Sequence, residues 1–242
     1  MAVVTSEKRR ITCYESDYAG KMLPTTAMNY FQEVSTNQGD TLGIGSDFLN
    51  ENSIAWFLVK YVIRFKTYPR YKDEVIATTQ ATGMDKFCAI RRFTIEDKKG
   101  EAMVVADTQW MLISRENEKM ERISEYPEFD VYDCHEKGEP VFKKIAKIKN
   151  VDYAKTFHVR FLDIDFNKHV NHVKYLAWAI EVLPLEVAET MDLTEAKIVY
   201  KAQCFYGDTI EALCEKLSEK LFRVDIVNQE NVLLCQLELN LG

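Results

Sequence analysis

The stretch Val170-Asn171-His172-Val173-Lys174-Tyr175-Leu176-Ala177-Trp178-Ala179-Ile180-Glu181-Val182-Leu183, closed by Pro184, decides the fold. Val170, Val173, Ala177 and Ile180 recur at helical spacing on one face. Tyr175, Leu176, Trp178 and Ala179 leave little polar surface elsewhere. A helix that is apolar nearly all round must be enclosed. The spacing therefore predicts a buried helix over 171–183 that stops at the proline. Downstream, 197–205, 209–218, 221–228 and 232–241 are rich in β-branched and aromatic residues and read as strands; 158–165 reads as a short strand upstream. A curved antiparallel sheet wrapped round one long helix encloses such a helix, which is the hotdog arrangement.

The first half has the same order. Leu23-Pro24-Thr25-Thr26 opens a segment to about Leu42, with Met28, Phe31, Val34 and Ser35 at helical spacing and Gly39 and Gly43 as stops. Thr25 or Thr26 is the expected cap. Strands are expected over 54–65, 74–81, 87–96 and 103–114, with a hairpin turn at Asp97-Lys98-Lys99-Gly100. Tyr71-Lys72-Asp73-Glu74-Val75 resembles Tyr206-Gly207-Asp208-Thr209-Ile210. A repeat of about 135 residues means two tandem domains rather than a solenoid, whose periods are far shorter. Helix first and strands after it also argue against a doubly wound fold, which alternates. The reading is thus α+β, a tandem double hotdog: residues 1–125, a linker over 126–150 containing Pro127, Gly138 and Pro140, and residues 151–242.

Composition narrows the function classes. The chain has 242 residues, 31 basic and 38 acidic, for a formal charge of −7. An acidic balance argues against a nucleic-acid binder, which needs a basic stripe. Basic clusters at Lys8-Arg9-Arg10, Arg91-Arg92 and Lys143-Lys144 with Lys147 and Lys149 read as solvated surface, or together as a docking patch for an acidic partner. Six scattered cysteines form no C-x-x-C pair and read as reduced thiols. No run approaches the ~20 apolar residues of a membrane span, and the N-terminus lacks a signal-peptide core, so a cytoplasmic protein is expected.

Asp165, Asn167 and His169 are spaced by two just before the buried helix. In an extended segment alternate residues share one side, so the three polar groups would converge in one cleft. Asp165 can take a proton, Asn167 can position a water or an oxygen, and His169 can serve as acid or base. The helix start offers N–H groups for an oxyanion. The competing reading is a turn at Asn167-Lys168 with Asp165 or Asn167 as helix cap. A metal site at His169 and His172 lacks further ligands, and none is expected. There is no G-x-S-x-G elbow or P-loop, and Gly43-Ile44-Gly45 lacks the third glycine of a dinucleotide loop. Cys204 with His169 is a formal nucleophile pair, but a free cysteine is more often a buried hydrophobe.

The run from Asp163 through Asp165, Asn167 and His169 to Trp178, followed by Glu181 and Pro184, closely resembles the signature of the acyl-ACP thioesterases, the plant plastid enzymes and their bacterial relatives. Asn29-Tyr30-Phe31-Gln32-Glu33, the stretch from Trp56 to Pro69 and that from Gly100 through Trp110 to Ile123 resemble the family's first helix, strands and turns. The resemblance implies a double hotdog that hydrolyses the thioester between a fatty acyl chain and the phosphopantetheine arm of acyl carrier protein, with no cofactor. It implies that Asp165, Asn167 and His169 are catalytic and that the N-terminal hotdog shapes the acyl pocket, with Met28, Phe31 and Trp56 as candidate lining. The family uses a Glu directly before a Cys on a later strand. Here Gln203-Cys204 takes that place, with Cys204 four residues after Tyr200. Gln cannot act as a base, so either Gln203 orients a water or Asp165 carries the base function. Hydrolysis of acyl-CoA and binding of an acyl ligand without turnover are the rival readings. A homodimer through an exposed sheet edge is left open.

Overall fold

Ile54–Phe65 and Leu221–Asn228 form strands over the very residues expected of them. A computed structural model describes residues 3–134, 141–142 and 144–242 and divides into two units, Met1–Phe142 and Lys143–Gly242. His135, Gly138, Pro140 and Lys143 lie outside the described residues.

The first unit contains β1 (Val4–Arg10), α1 (Pro24–Thr41), α2 (Ser46–Glu51), β2 (Ile54–Phe65), β3 (Glu74–Met84), β4 (Cys88–Glu96) and β5 (Ala102–Ser114). Its strands run antiparallel in the order β1-β3-β4-β5-β2. Among them β1 was not expected from the sequence. Its side chains alternate half-buried and exposed, so its charged residues hide the strand pattern. Alternation also corrects the basic pair Arg91-Arg92. Arg91 turns inward, donating to Thr79 Oγ1 at 2.9 Å and to Gln38 Oε1, while Arg92 faces out to Asp107 at 2.7 Å. Two cations one residue apart on a strand cannot share a surface.

α1 starts at Pro24 and carries no side-chain cap; Thr26 instead donates to the Glu15 carbonyl at 3.1 Å. Gly43, at φ +75°, closes it, and the Gly43 and Ile44 N–H groups return to the Asp40 and Gly39 carbonyls. Phe31 is 1% exposed and stacks on Phe93 of β4 at 5.0 Å. Phe31→Ala is expected to cost about 3–5 kcal/mol in urea unfolding, the scale of a truncated core aromatic. A loss below about 1 kcal/mol would mean that the ring faces an open pocket instead of packed core.

The second unit contains β6 (Tyr153–His158), α3 (Val173–Glu181), α4 (Leu185–Thr190), β7 (Leu193–Tyr200), β8 (Thr209–Lys216), β9 (Leu221–Asn228) and β10 (Leu233–Leu241). The antiparallel order β6-β8-β9-β10-β7 repeats that of the first unit. α3 packs on β8, β9 and β10. It begins at Val173 rather than Asn171: His172 holds the N-cap position, and Asn171 Oδ1, just outside the helix, accepts the Val173 N–H at 3.0 Å.

Three expectations shift. The strand placed over 158–165 ends at His158, and residues 161–163 form a single 3-10 turn. The strand placed over 197–205 runs from Leu193 to Tyr200; Lys201 and Ala202 both donate to the Leu234 carbonyl, and the chain leaves the sheet there. The expected linker starts as core: Phe129 and Tyr132 are buried with Ile44, Ile54 and Leu112 in the first unit. No helix of the described residues is long and apolar enough to cross a membrane.

Candidate active site

The D-x-N-x-H residues stand on a tight turn, not on an extended segment. Asp165 N–H donates to the His169 carbonyl at 2.8 Å, and Lys168 N–H donates to the Asp165 carbonyl at 3.0 Å. Asp165 Oδ1 accepts the Asn167 N–H at 2.8 Å. Lys168 takes φ +65°, in the left-handed region. An aspartate that satisfies the backbone two residues on is an Asx-turn, and it wins here over strand geometry. The turn still gathers the residues. Asp165 and His169 face across it half-buried, and Asn167 stands exposed at its tip. The N-cap position of the helix is His172, and the N–H of Val173 goes to Asn171, so neither Asp165 nor Asn167 caps it.

Gln203 reaches this turn through the backbone. Val170 N–H donates to the Cys204 carbonyl at 2.9 Å, which lays residues 203–205 alongside 169–170. The Phe205 ring stands edge-on to the His169 imidazole at 5.3 Å. Phe205 N–H donates to Asp208 Oδ2 at 2.9 Å, holding the second loop closed. Among the described residues, Asp165 Oδ2, the Asn167 and Gln203 side chains and both His169 nitrogens make no hydrogen bond. The loop thus fixes the backbone and one carboxylate oxygen while leaving these other side-chain atoms uncommitted.

Asp163 is the residue that sequence reasoning missed. Its carboxylate accepts from Arg160 N, Nε and Nη2 at 2.9, 3.1 and 3.0 Å and pairs with Lys174 Nζ at 3.2 Å. Burial alone would raise its pKa, but the Arg160 and Lys174 bonds outweigh it and hold the carboxyl down at about 2. Because Lys174 belongs to α3, Asp163 ties the site loop to the helix. The spacing of Asp163 to Arg160 and Lys174 was the available signal, but only their convergence gives it meaning.

Cys204 is fully buried, and burial, with its hydrogen bond to Asp208, pushes the thiol up to about 12. A thiol so protonated is a poor nucleophile, which weighs against the Cys204–His169 pair. Burial pushes His172 down to about 4, so it stays neutral at ordinary pH. The helix start is a weaker oxyanion site than expected, since the Val173 N–H is taken by Asn171. Among the described residues no three His, Cys, Asp or Glu side chains cluster as metal ligands. Of the expected lining residues, Met28 and Phe31 are buried on α1, and Trp56 packs half-buried on Phe129 at 5.1 Å.

Two family models match the chain in tandem. The model for the acyl-ACP thioesterase N-terminal domain covers residues 2–136, and that for the C-terminal domain covers residues 146–242. The chloroplastic acyl-[acyl-carrier-protein] hydrolase FATB3 of Cuphea viscosissima is 26% identical over 201 residues, covering 78% of this chain and 49% of its own length. The chain therefore spans about half the length of the curated relatives it matches first. Among solved structures, a 12:0-ACP thioesterase from Umbellularia californica superposes with TM-score 0.89 at 18% identity, covering 99% of this chain and 97% of its own. An acyl-ACP thioesterase from Bacteroides thetaiotaomicron superposes with TM-score 0.86 at 20% identity, covering 99% and 98%. At these identities the superpositions establish the double hotdog fold.

Proposed function

This chain belongs to the acyl-ACP thioesterase family, and we propose that it hydrolyses the thioester of a fatty acyl group carried on acyl carrier protein, releasing free fatty acid. The observation that carries the reading is the turn that presents Asp165, Asn167 and His169, docked through Val170 and Cys204 onto the loop of Gln203. Asp165 Oδ2 takes a proton from water as the water oxygen attacks the thioester carbonyl. The Asn167 amide donates to the carbonyl oxygen as it gains charge, in place of the occupied helix N–H. His169 delivers a proton to the departing phosphopantetheine sulfur as the C–S bond breaks. Gln203, which cannot take a proton, accepts a hydrogen bond from the attacking water. Phe161, Leu162, Phe166 and Tyr206 are exposed round these loops and offer apolar surface to the entering substrate. Trp56 is the proposed contact for the acyl chain in the first unit; Met28 and Phe31 contribute there as buried wall. The protein is proposed to act in the cytoplasm.

The test is release of thiol and fatty acid from acyl-ACPs of graded chain length and saturation, beside the matching acyl-CoAs. Faster turnover of the ACP thioesters supports the proposal and reads out the chain-length preference. Preference for the CoA thioesters would replace it with acyl-CoA hydrolysis. Acyl-ACP binding without turnover on either carrier would make this an acyl-binding hotdog, the reading that Gln203 in the place of Glu favours.

A further inference from the structure

The first unit contains a second copy of the site loop that repeats most of its hydrogen bonds; one has no counterpart, since Asp17 Oδ1 also accepts the Lys21 N–H at 2.8 Å. Asp17 N–H donates to the Lys21 carbonyl at 2.8 Å, as Asp165 does to His169 at 2.8 Å. Asp17 Oδ1 accepts from Ala19 N–H at 2.8 Å, as Asp165 Oδ1 does from Asn167 at 2.8 Å. Gly20 and Lys168 share the left-handed position, at φ +74° and +65°. Met22 N–H reaches the Pro69 carbonyl at 2.8 Å where Val170 reaches Cys204 at 2.9 Å. Arg70 N–H donates to Asp73 Oδ2 at 2.8 Å where Phe205 donates to Asp208 Oδ2 at 2.9 Å.

The shared bonds show what the scaffold needs: two aspartates and one left-handed residue. The differences show what it does not need. Where the second unit has Asn167, His169, Gln203 and Phe205, the first has Ala19, Lys21, Tyr68 and Arg70. Three of those four are already read as site residues. Phe205 is not. The same turn closes with Arg70, so the fold does not require an aromatic there, yet the ring is 49% exposed to water. Its specific contact is with His169, edge to face, 5.3 Å between centroids at 73°. Neither imidazole nitrogen is hydrogen-bonded among the described residues, so no polar partner sets the plane of the ring.

We infer that Phe205 is a positioning residue for His169: its ring sets the imidazole plane from which the leaving sulfur is protonated. This rests on the hydrolytic reading above. An edge-to-face contact has a preferred geometry, and losing it frees the imidazole to turn away from the reacting bond.

The experiment combines kinetics with NMR of the His169 ring proton, whose shift reports the neighbouring aromatic ring whether or not the protein turns over substrate. Phe205→Leu is expected to lower kcat about ten-fold with KM within about two-fold, to move the His169-dependent limb of the pH–rate profile, and to shift the His169 signal. Phe205→Tyr, which keeps the ring, is expected to restore all three. Phe205→Arg, carrying the first unit's residue at this position, is expected to fold and to behave as the leucine variant. A raised KM with unchanged kcat would make Phe205 a substrate contact and overturn the inference. A His169 signal indifferent to Phe205→Leu would overturn it also. A signal that follows the Phe205 ring in a wild-type protein that hydrolyses no acyl thioester would uphold the positioning and remove the hydrolytic reading.

Discussion

Asp165→Asn is expected to fold as the wild type does and to lose at least ~10²-fold in kcat, the scale of a removed general base. The two halves of that expectation come from two oxygens. Oδ1 accepts the Asn167 N–H at 2.8 Å and builds the turn. An asparagine Oδ1 accepts the same bond, so the turn survives the substitution. Oδ2 is uncommitted among the described residues, and replacing it with NH₂ removes the only atom of this side chain free to take the water's proton. Asp17→Asn in the first unit is the internal control: it makes the same chemical change in the equivalent turn and is expected to leave turnover alone. The measurement is single-turnover hydrolysis of acyl-ACP with circular dichroism on the same samples. Near-normal turnover by Asp165→Asn would confine Asp165 to turn-building and pass the base function to another group. Oxygen-18 label appearing in Asp165 after one turnover would replace water activation with attack by the carboxylate itself.

Asp163→Ala is expected to lose about 2–4 kcal/mol of stability, because it strips a buried carboxylate from two cations and a backbone N–H. The Asp163 carboxylate is 1% exposed. Arg160 is largely exposed, so it is rehydrated when the carboxylate goes; Lys174 is less so and bears more of the cost. The pH dependence follows from the direction of the shift. The folded carboxyl titrates at about 2, below its ordinary 3.8, so the unfolded chain binds the proton more readily. The network's stabilisation is complete above about pH 4 and disappears as pH falls toward 2. Urea unfolding of the wild type and of Asp163→Ala across pH 2–7 should therefore converge at the acid end. Curves that stay parallel would mean that the charge of Asp163 contributes nothing and only its packing matters.

The helix α3, expected over 171–183 and formed by Val173–Glu181, was legible because it is apolar nearly all round, and its enclosure followed from hydrophobicity alone. Strands β2, β9 and β10 were legible from β-branched and aromatic density, which acts within a few residues. β1 was not. Edge strands keep charge on the outer side, and Val4–Arg10 reads as a basic segment until β3 is seen to pair with it. The site was half legible. The candidate set Asp165, Asn167, His169 and Gln203 could be named, but the two-residue spacing suggested an extended geometry. An Asx-turn and a left-handed Lys168 replaced it, and no propensity forces a lysine there.

What the sequence determined by itself was local or averaged: the class of fold, the order helix then strands in each half, the duplication, and the family through its signature. Three things waited for the tertiary structure. The Val170–Cys204 hydrogen bond joins loops separated by α3, α4 and β7; Asp163 finds Lys174 across the loop; and Phe205 faces His169. Each is a contact between segments whose separation along the chain carries no information about their separation in space. Such contacts form because the sheet and helix have already paid the chain entropy of bringing them together. The sequence could therefore name candidate groups for the chemistry, while their arrangement and its supports followed only once the fold had closed around them.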